Sequence, residues 1–245
     1  MNIDQLLTLF EQGKMSRQDV RWRLSSAWLD TLDGQIADVN RQLRSRIPEI
    51  IYGEYKTFQQ IVELAEHTLS KNSNVIVSRA SCTQELIAHF TPGLPVVHSE
   101  RVLVVGRLPQ AAGAVLLISG GTSDHAVVRE IELVLQALGI QPLVYEDRGI
   151  AHPGRVVDAV RHGLKEQVRC VVAVAGMEAS LATFVSALVP LPVIGVPTSV
   201  GYGYKAGESA LISMLSSCTP NLAVVNIDGG VRAAVLAYLI GGTLK

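Results

Sequence analysis

The sequence predicts a three-layer α/β sandwich, with a mostly parallel sheet between two helical layers and a helical extension ahead of it. Three observations carry this expectation. From about residue 74 onward, apolar runs of strand length recur, among them Ala114–Ser119, Cys170–Ala175 and Pro192–Val196. Each is followed by apolar residues at helical spacing, as in Val128, Ile131, Leu135 and Leu138 ahead of Gly139. Strands that are apolar throughout, alternating with amphipathic helices, fit a parallel sheet whose two faces are both covered. The runs Asn74–Val77, Arg101–Val105, Pro142–Tyr145 and Ala223–Asn226 complete the expected strands.

The first seventy residues follow a different rhythm. Ile3, Leu6, Leu7 and Phe10 keep helical spacing, Gly13 interrupts it, and Ser16 with Asp19 has the form of a capping box. Val20, Leu24, Ala27 and Trp28 make a second amphipathic face, and Thr57 caps a third helix carrying Phe58, Ile61, Ala65 and Leu69. The expected division is a helical extension over 1–70 and a catalytic α/β domain over 71–245. Between the second and third helices lies an arginine-rich run, Arg41 to Arg46. It reads as a solvated connector, with an anion-binding arm as the competing reading.

Composition narrows the function classes. The chain has 245 residues, 48% of them hydrophobic and only 18% charged, with 21 basic against 22 acidic residues. So few charges leave surface for other copies to cover, which points to a homo-oligomer. The net charge of −1 and the lack of a dense basic run argue against nucleic acid and anionic membranes as partners. With neither an export segment nor a membrane-length apolar run, the expected compartment is the cytoplasm. Cys82, Cys170 and Cys218 are widely spaced, which suits a reducing compartment without a structural zinc.

Open parallel sheets bind ligands where strands hand over to helices. Four such loops here are rich in glycine or polar groups. The first is Ser119-Gly120-Gly121-Thr122-Ser123-Asp124, where glycines admit a close ligand approach and a helix start offers amides to a phosphate. Ser123 or Asp124 as a simple cap is the alternative there. The second is Gly176-Met177-Glu178, whose acidic residue would also complement a helix dipole. The third is the long segment Pro197-Thr198-Ser199-Val200-Gly201-Tyr202-Gly203-Tyr204-Lys205. The fourth is Asn226-Ile227-Asp228-Gly229-Gly230. Cys218 ends a helix just upstream and, from the sequence pattern alone, reads as a small hydrophobe.

Taken together, these segments resemble the LarB family, the carboxylase/hydrolase of nickel-pincer cofactor biosynthesis, itself similar to PurE-type AIR carboxylases. The resemblance rests on Ile47-Pro48-Glu49-Ile50-Ile51-Tyr52-Gly53 with Lys56-Thr57, on Ser119 to Asp124, and on Gly176-Met177-Glu178. Val196 to Gly203, Met214 to Cys218 and Val224 to Asp228 extend it over most of the chain. Departures lie at Asp147 to Arg155, at Tyr204 to Glu208, and at Gly229 to Ala234, all at expected ligand loops.

The resemblance implies carboxylation of the pyridinium ring of nicotinic acid adenine dinucleotide and hydrolysis of its phosphoanhydride. Carbon dioxide or bicarbonate would be the co-substrate, with no tightly bound cofactor, magnesium left open and the metal question undecided. It further implies Cys218 as transient nucleophile, Asp124 or Glu178 as proton acceptor, the other loop residues as nucleotide contacts, and an octamer. Two other functions stay open: a carboxylase or mutase acting on another nucleotide, and a non-catalytic nucleotide-binding regulator.

Overall fold

The computed structural model describes residues 3–26, 30–32, 35–38, 41, 45–111, 114–201 and 203–242. Ala27, Trp28, Tyr202 and residues 42–44 of the arginine-rich run therefore lie outside the described residues. The chain enters through α1 (Ile3–Glu11) and α2 (Arg17–Ser26). The expected box caps α2: Ser16 Oγ accepts the Asp19 amide at 3.1 Å and donates to its carboxylate at 2.6 Å. An antiparallel pair, β1 (Asp30–Leu32) and β2 (Gln35–Ala37), precedes β3 (Ile50–Tyr52) and α3 (Phe58–Leu69). Thr57 caps α3 in a reciprocal box with Gln60. Then come β4 (Asn74–Ser78), α4 (Thr83–Phe90), β5 (Val96–His98) and β6 (Val102–Gly106).

The second half alternates strand and helix. Its elements are β7 (Val115–Ser119), a 3-10 turn at Thr122–Asp124, α5 (His125–Ala137) and β8 (Leu143–Tyr145). They continue with α6 (Pro153–Lys165), β9 (Cys170–Ala175), α7 (Ser180–Leu188) and β10 (Val193–Pro197). The last are α8 (Glu208–Leu215), β11 (Leu222–Val224) and α9 (Gly230–Gly241). The strands lie in the order β11-β10-β9-β7-β8 and every pairing is parallel. This is the expected sandwich.

One expectation needs correction. Asn74–Val77 and Arg101–Val105 do form strands, but they leave the parallel sheet. β4 and β6 pair antiparallel in a separate sheet ordered β3-β4-β6-β5. The two sheets part between Gly106 and Val115 rather than at residue 70, and the first part holds strands as well as helices. An apolar run marks a strand buried on both faces but carries no direction, and β3 and β5 are too short to stand out.

The packing makes five layers. α3 and α4 cover one face of the small sheet through Ile61, Ala65, Leu86 and Phe90. Its other face, with Ile76, Val102 and Val104, packs on α5. α5 and α9 together cover Val115, Leu117, Val172 and Ile194 of the large sheet, so α5 is shared between the sheets. α6, α7 and α8 close the far face through Val156, Val160, Leu181, Val185 and Met214. Alternate strand residues feed alternate layers, as the pleat requires.

Candidate functional site

At the carboxyl ends of β7, β9 and β10, three loops meet. β7 ends in the buried Ser119, and the chain turns through Gly120 and Gly121 into the 3-10 turn. Asp124 closes that turn and folds back. Its Oδ2 accepts the Gly121 amide at 3.0 Å and its Oδ1 accepts the Thr198 hydroxyl at 2.8 Å. The residue is 3% exposed, and burial raises its pKa against the pull of those two hydrogen bonds. The charges of Asp228 and Glu146 push the same way. The result is a carboxyl inclined to hold or take a proton.

Thr198 follows β10 and is fully buried, and its amide donates to Ala175 O at 3.1 Å. This ties the strap 197–201 to the end of β9. Gly176 must be glycine here, because a Cβ would lie 2.7 Å from Val200 O and 2.8 Å from Thr198 Oγ1. Met177 and Ala179 take left-handed backbone, with φ of 55° and 52°, and the turn carries Glu178 outward. Glu178 is exposed and accepts the Ser180 hydroxyl at 2.9 Å. Gly120, Gly121, Asp124, Gly176, Glu178 and Gly201 border a cavity of about 270 Å³. A Cβ on Gly120 would come no nearer than 3.7 Å to the protein, and one on Gly121 no nearer than 3.4 Å. The missing Cβ atoms thus leave room at the cavity rather than relieve an internal clash.

The strap is held from its other side by Asp228. The Asp228 carboxylate accepts the Ser199 amide at 3.0 Å, the Ser199 hydroxyl at 2.7 Å and Arg101 Nη2 at 3.5 Å. Its own amide donates to Pro197 O at 2.8 Å. Arg79 Nη2 donates to the Asp228 carbonyl at 2.7 Å and to Glu130 Oε2 at 3.3 Å. Burial pushes the Asp228 carboxyl up, but Ser199, then Arg101 and Arg79, outweigh it and bring the group below its ordinary value. Glu130 is fully buried, and burial raises it despite the same two arginines. Its Oε2 would lie 2.4 Å from a Cβ on Gly230, so the glycine makes space for the carboxylate at the head of α9.

The structure thus sorts the expected residues. Gly120, Gly121, Ser123, Asp124, Gly176, Met177, Glu178 and Gly201 share the 270 Å³ cavity, with Thr122 on the same turn. Pro197, Thr198 and Ser199 form the strap, while Asn226 and Asp228 line a second cavity beyond it. Gly203 packs on Met177, where a Cβ would be 3.0 Å from the Met177 Cα. Lys205 lies outside both cavities, 3.5 Å from Glu208 and over the Tyr204 ring. Tyr202 is outside the described residues.

Cys218 is not brought to Asp124 or Glu178 within the subunit. It is exposed on the connection from α8 to β11, where β11 begins, while the ligand loops leave strand ends. Its neighbours Ser217 and Thr219 bond to Thr183 and Ser186 along α7. Cys170 is buried and its thiol is pushed up to about 12, the behaviour of an inert core residue.

Arg79, Arg101 and Glu130 were not nominated from the sequence. Glu130 was the legible one, since it stands at helical spacing between Val127 and Val134 inside a buried stripe. The arginines come from the small sheet and meet Asp228 across more than a hundred residues of chain. Among the described residues, no group of three or more His, Cys, Asp or Glu is arranged to hold a metal ion. No helix among them is long and apolar enough to cross a membrane.

A buried carboxyl at the head of a parallel sheet, beneath glycine turns that open on a cavity, defines an α/β protein with its candidate site at the strand ends. The particular family is shown by comparison with known proteins. The chain belongs to the AIR carboxylase family, which residues 114–244 match, and residues 30–106 match the LarB/PurE-like N-terminal domain. An uncharacterised protein of Methanocaldococcus jannaschii is 30% identical over 249 residues, spanning 98% of this chain and 96% of its own. The N5-carboxyaminoimidazole ribonucleotide mutase of Mycobacterium leprae is 30% identical over 128 residues, or 52% of this chain and 74% of its own. Among solved structures, Treponema denticola PurE2-S38D aligns at a TM-score of 0.40 and 20% identity, over 51% of this chain and 88% of its own.

Proposed function

We propose that the protein carboxylates the pyridinium ring of nicotinic acid adenine dinucleotide and hydrolyses its phosphoanhydride. The products are pyridinium biscarboxylic acid mononucleotide and AMP. The observation that carries this reading is the buried Asp124, whose carboxyl burial holds above its ordinary range at the floor of a glycine-walled cavity. A pyridinium ring is too electron-poor to attack carbon dioxide. A thiolate adding to a ring carbon breaks aromaticity and makes the neighbouring carbon enamine-like. That carbon forms the new bond to carbon dioxide, its proton passes to a carboxylate, and expulsion of the thiolate restores the ring. The balance is one ring C–H and one carbon dioxide converted to a ring carboxylate and a proton. Asp124 suits the proton acceptor because its raised pKa makes it the stronger base. Glu178, at the rim, is the other candidate.

Cys218 supplies the thiolate in this reading, and it reaches the ring as a neighbouring copy's residue. It sits beside Ile212 and Leu215, which are 61% and 65% exposed, a surface suited to another subunit. The test is complementation in mixed oligomers. Cys218→Ser and Asp124→Asn homo-oligomers should each fail to give the carboxylated product by mass, while oligomers refolded from both should regain a fraction of it. No recovery in verified mixed oligomers, or carboxylation at the wild-type rate by Cys218→Ser, overturns this arrangement. Light scattering that finds a monomer at micromolar concentration overturns it as well.

A second reading follows from the mutase relative in Mycobacterium leprae: carboxyl transfer on an aminoimidazole ribonucleotide. Parallel incubations with N5-carboxyaminoimidazole ribonucleotide, and with nicotinic acid adenine dinucleotide plus bicarbonate, separate the two by which one changes mass.

A further inference from the structure

Beyond the strap, where the small sheet meets α9, lies a cavity of about 690 Å³, more than twice the size of the Asp124 cavity. Its lining is mixed. Arg41, Arg79 and Arg232 line it together with Ser78 and Asn226. Ile47, Ile50, Val231 and Val235 supply apolar wall, and Tyr52, which is 49% exposed, pairs with Ser78 along the small sheet. Two carboxylates also line it, and each is paired within the protein: Asp228 with Arg101 and Ser199, and the buried Glu130 with Arg79. Arg232 has no ion-pair partner among the described residues, and Arg79 uses Nη2 for both of its bonds while its side chain remains one-third exposed. Arg79 also holds a left-handed backbone, φ 55°, which a non-glycine residue keeps where the surrounding structure demands it.

We propose that this cavity is a binding site for a nucleoside monophosphate, distinct from the Asp124 cavity. The phosphate sits at the arginines, whose guanidinium groups bind it through charged hydrogen bonds. The base lies on the Tyr52 face and the aliphatic wall, since an aromatic ring is a sequence-tolerant stacking platform. The volume falls in the range of small-molecule sites, roughly 300–1,000 Å³. The arginine-rich run of the sequence thereby gains a role through Arg41, as an anion-binding arm rather than a plain connector. The choice of the adenine nucleotide as ligand rests on the proposed function, in which AMP is released; the site itself does not.

The test is calorimetric binding to the full chain with AMP, adenosine and inorganic phosphate as probes. AMP should bind more tightly than either fragment and weaken as salt is raised. Arg232→Ala should weaken AMP at least tenfold without lowering the melting temperature, because Arg232 is exposed. Tyr52→Ala should weaken AMP and adenosine alike but leave phosphate unchanged. Gly121→Val, which fills the other cavity, should leave AMP affinity as it was. Equal affinity for AMP and adenosine, an unaffected Arg232→Ala, or loss of AMP binding in Gly121→Val would each overturn the assignment. AMP binding without carboxylation would remove the proposed reaction and keep this site. Carboxylation without AMP binding would do the reverse.

Discussion

Asp124 and Asp228 stand on opposite sides of one strap, bonded to the adjacent residues Thr198 and Ser199, and their surroundings push them in opposite directions. Around Asp124, burial and the charges of Asp228 and Glu146 outweigh two neutral donors, so its pKa rises. Around Asp228, two donors from Ser199 and the charges of two arginines outweigh burial, so its pKa falls. The difference lies in what the N-terminal part delivers to each side. Burial without an arginine partner raises one carboxyl, and arginine with serine donors lowers the other while holding the strap.

Three experiments sharpen or break this contrast. The largest effect belongs to Asp124→Asn, which should lower the carboxylation rate by about 10²–10⁴-fold, the usual contribution of a positioned base. Stability should move the other way. A raised folded pKa contributes stability below the ordinary value of 3.8 and loses it as pH rises through the folded value. Asp124→Asn should therefore melt above the wild type at pH 7, with the gap closing in acid. A mutant that melts lower at pH 7 contradicts the desolvation account.

The middle effect is Asp228→Asn, which leaves Arg101 without its carboxylate and should cost about 1–3 kcal/mol in denaturant titration. Its lowered pKa reverses the sign. The stability it gives is present above 3.8 and fades as pH falls through the folded value, so mutant and wild type should converge there. A pH-independent difference would show that packing, not charge, is at work. The smallest effect is Gly121→Val. It should weaken dinucleotide binding about tenfold, some 1.4 kcal/mol, while the melting temperature stays within about two degrees. Unchanged affinity in the folded variant would mean that no ligand approaches that turn.

Much of this molecule could be read from its residues, for identifiable reasons. Val115–Ser119, Cys170–Ala175 and Val193–Pro197 were legible because central parallel strands are apolar on both faces. Thr57 was legible because a capping box is local. The small sheet was not, since β4 and β6 have the same apolar character and only pairing gives them direction. Gly120, Gly121, Asp124 and Glu178 could be placed on strand-end loops because glycine-rich turns after strands announce themselves. Arg79 and Arg101 escaped, because an arginine on a short loop looks like any solvated residue until the fold carries it to Asp228. Cys218 shows the opposite limit: motif resemblance picks a residue without saying on which side of the subunit it emerges.

The sharing of α5 between the sheets, with α9 packed beside it, has one more consequence. Ala233, Ala234 and Ala237 of α9 are fully buried, and Gly230 and Gly241 at its ends lie against Glu130 and Val115. Such small residues let α9 nestle close to α5. Cutting the chain between Gly106 and Val115 would strip Ile76, Val102 and Val104 on one piece, and the outer side of α5 on the other. Neither fragment would keep a dry interior, so the two parts belong to a single melting unit. The amides of α5 should be among the last to exchange with deuterated water, although the helix starts only four residues after Gly121.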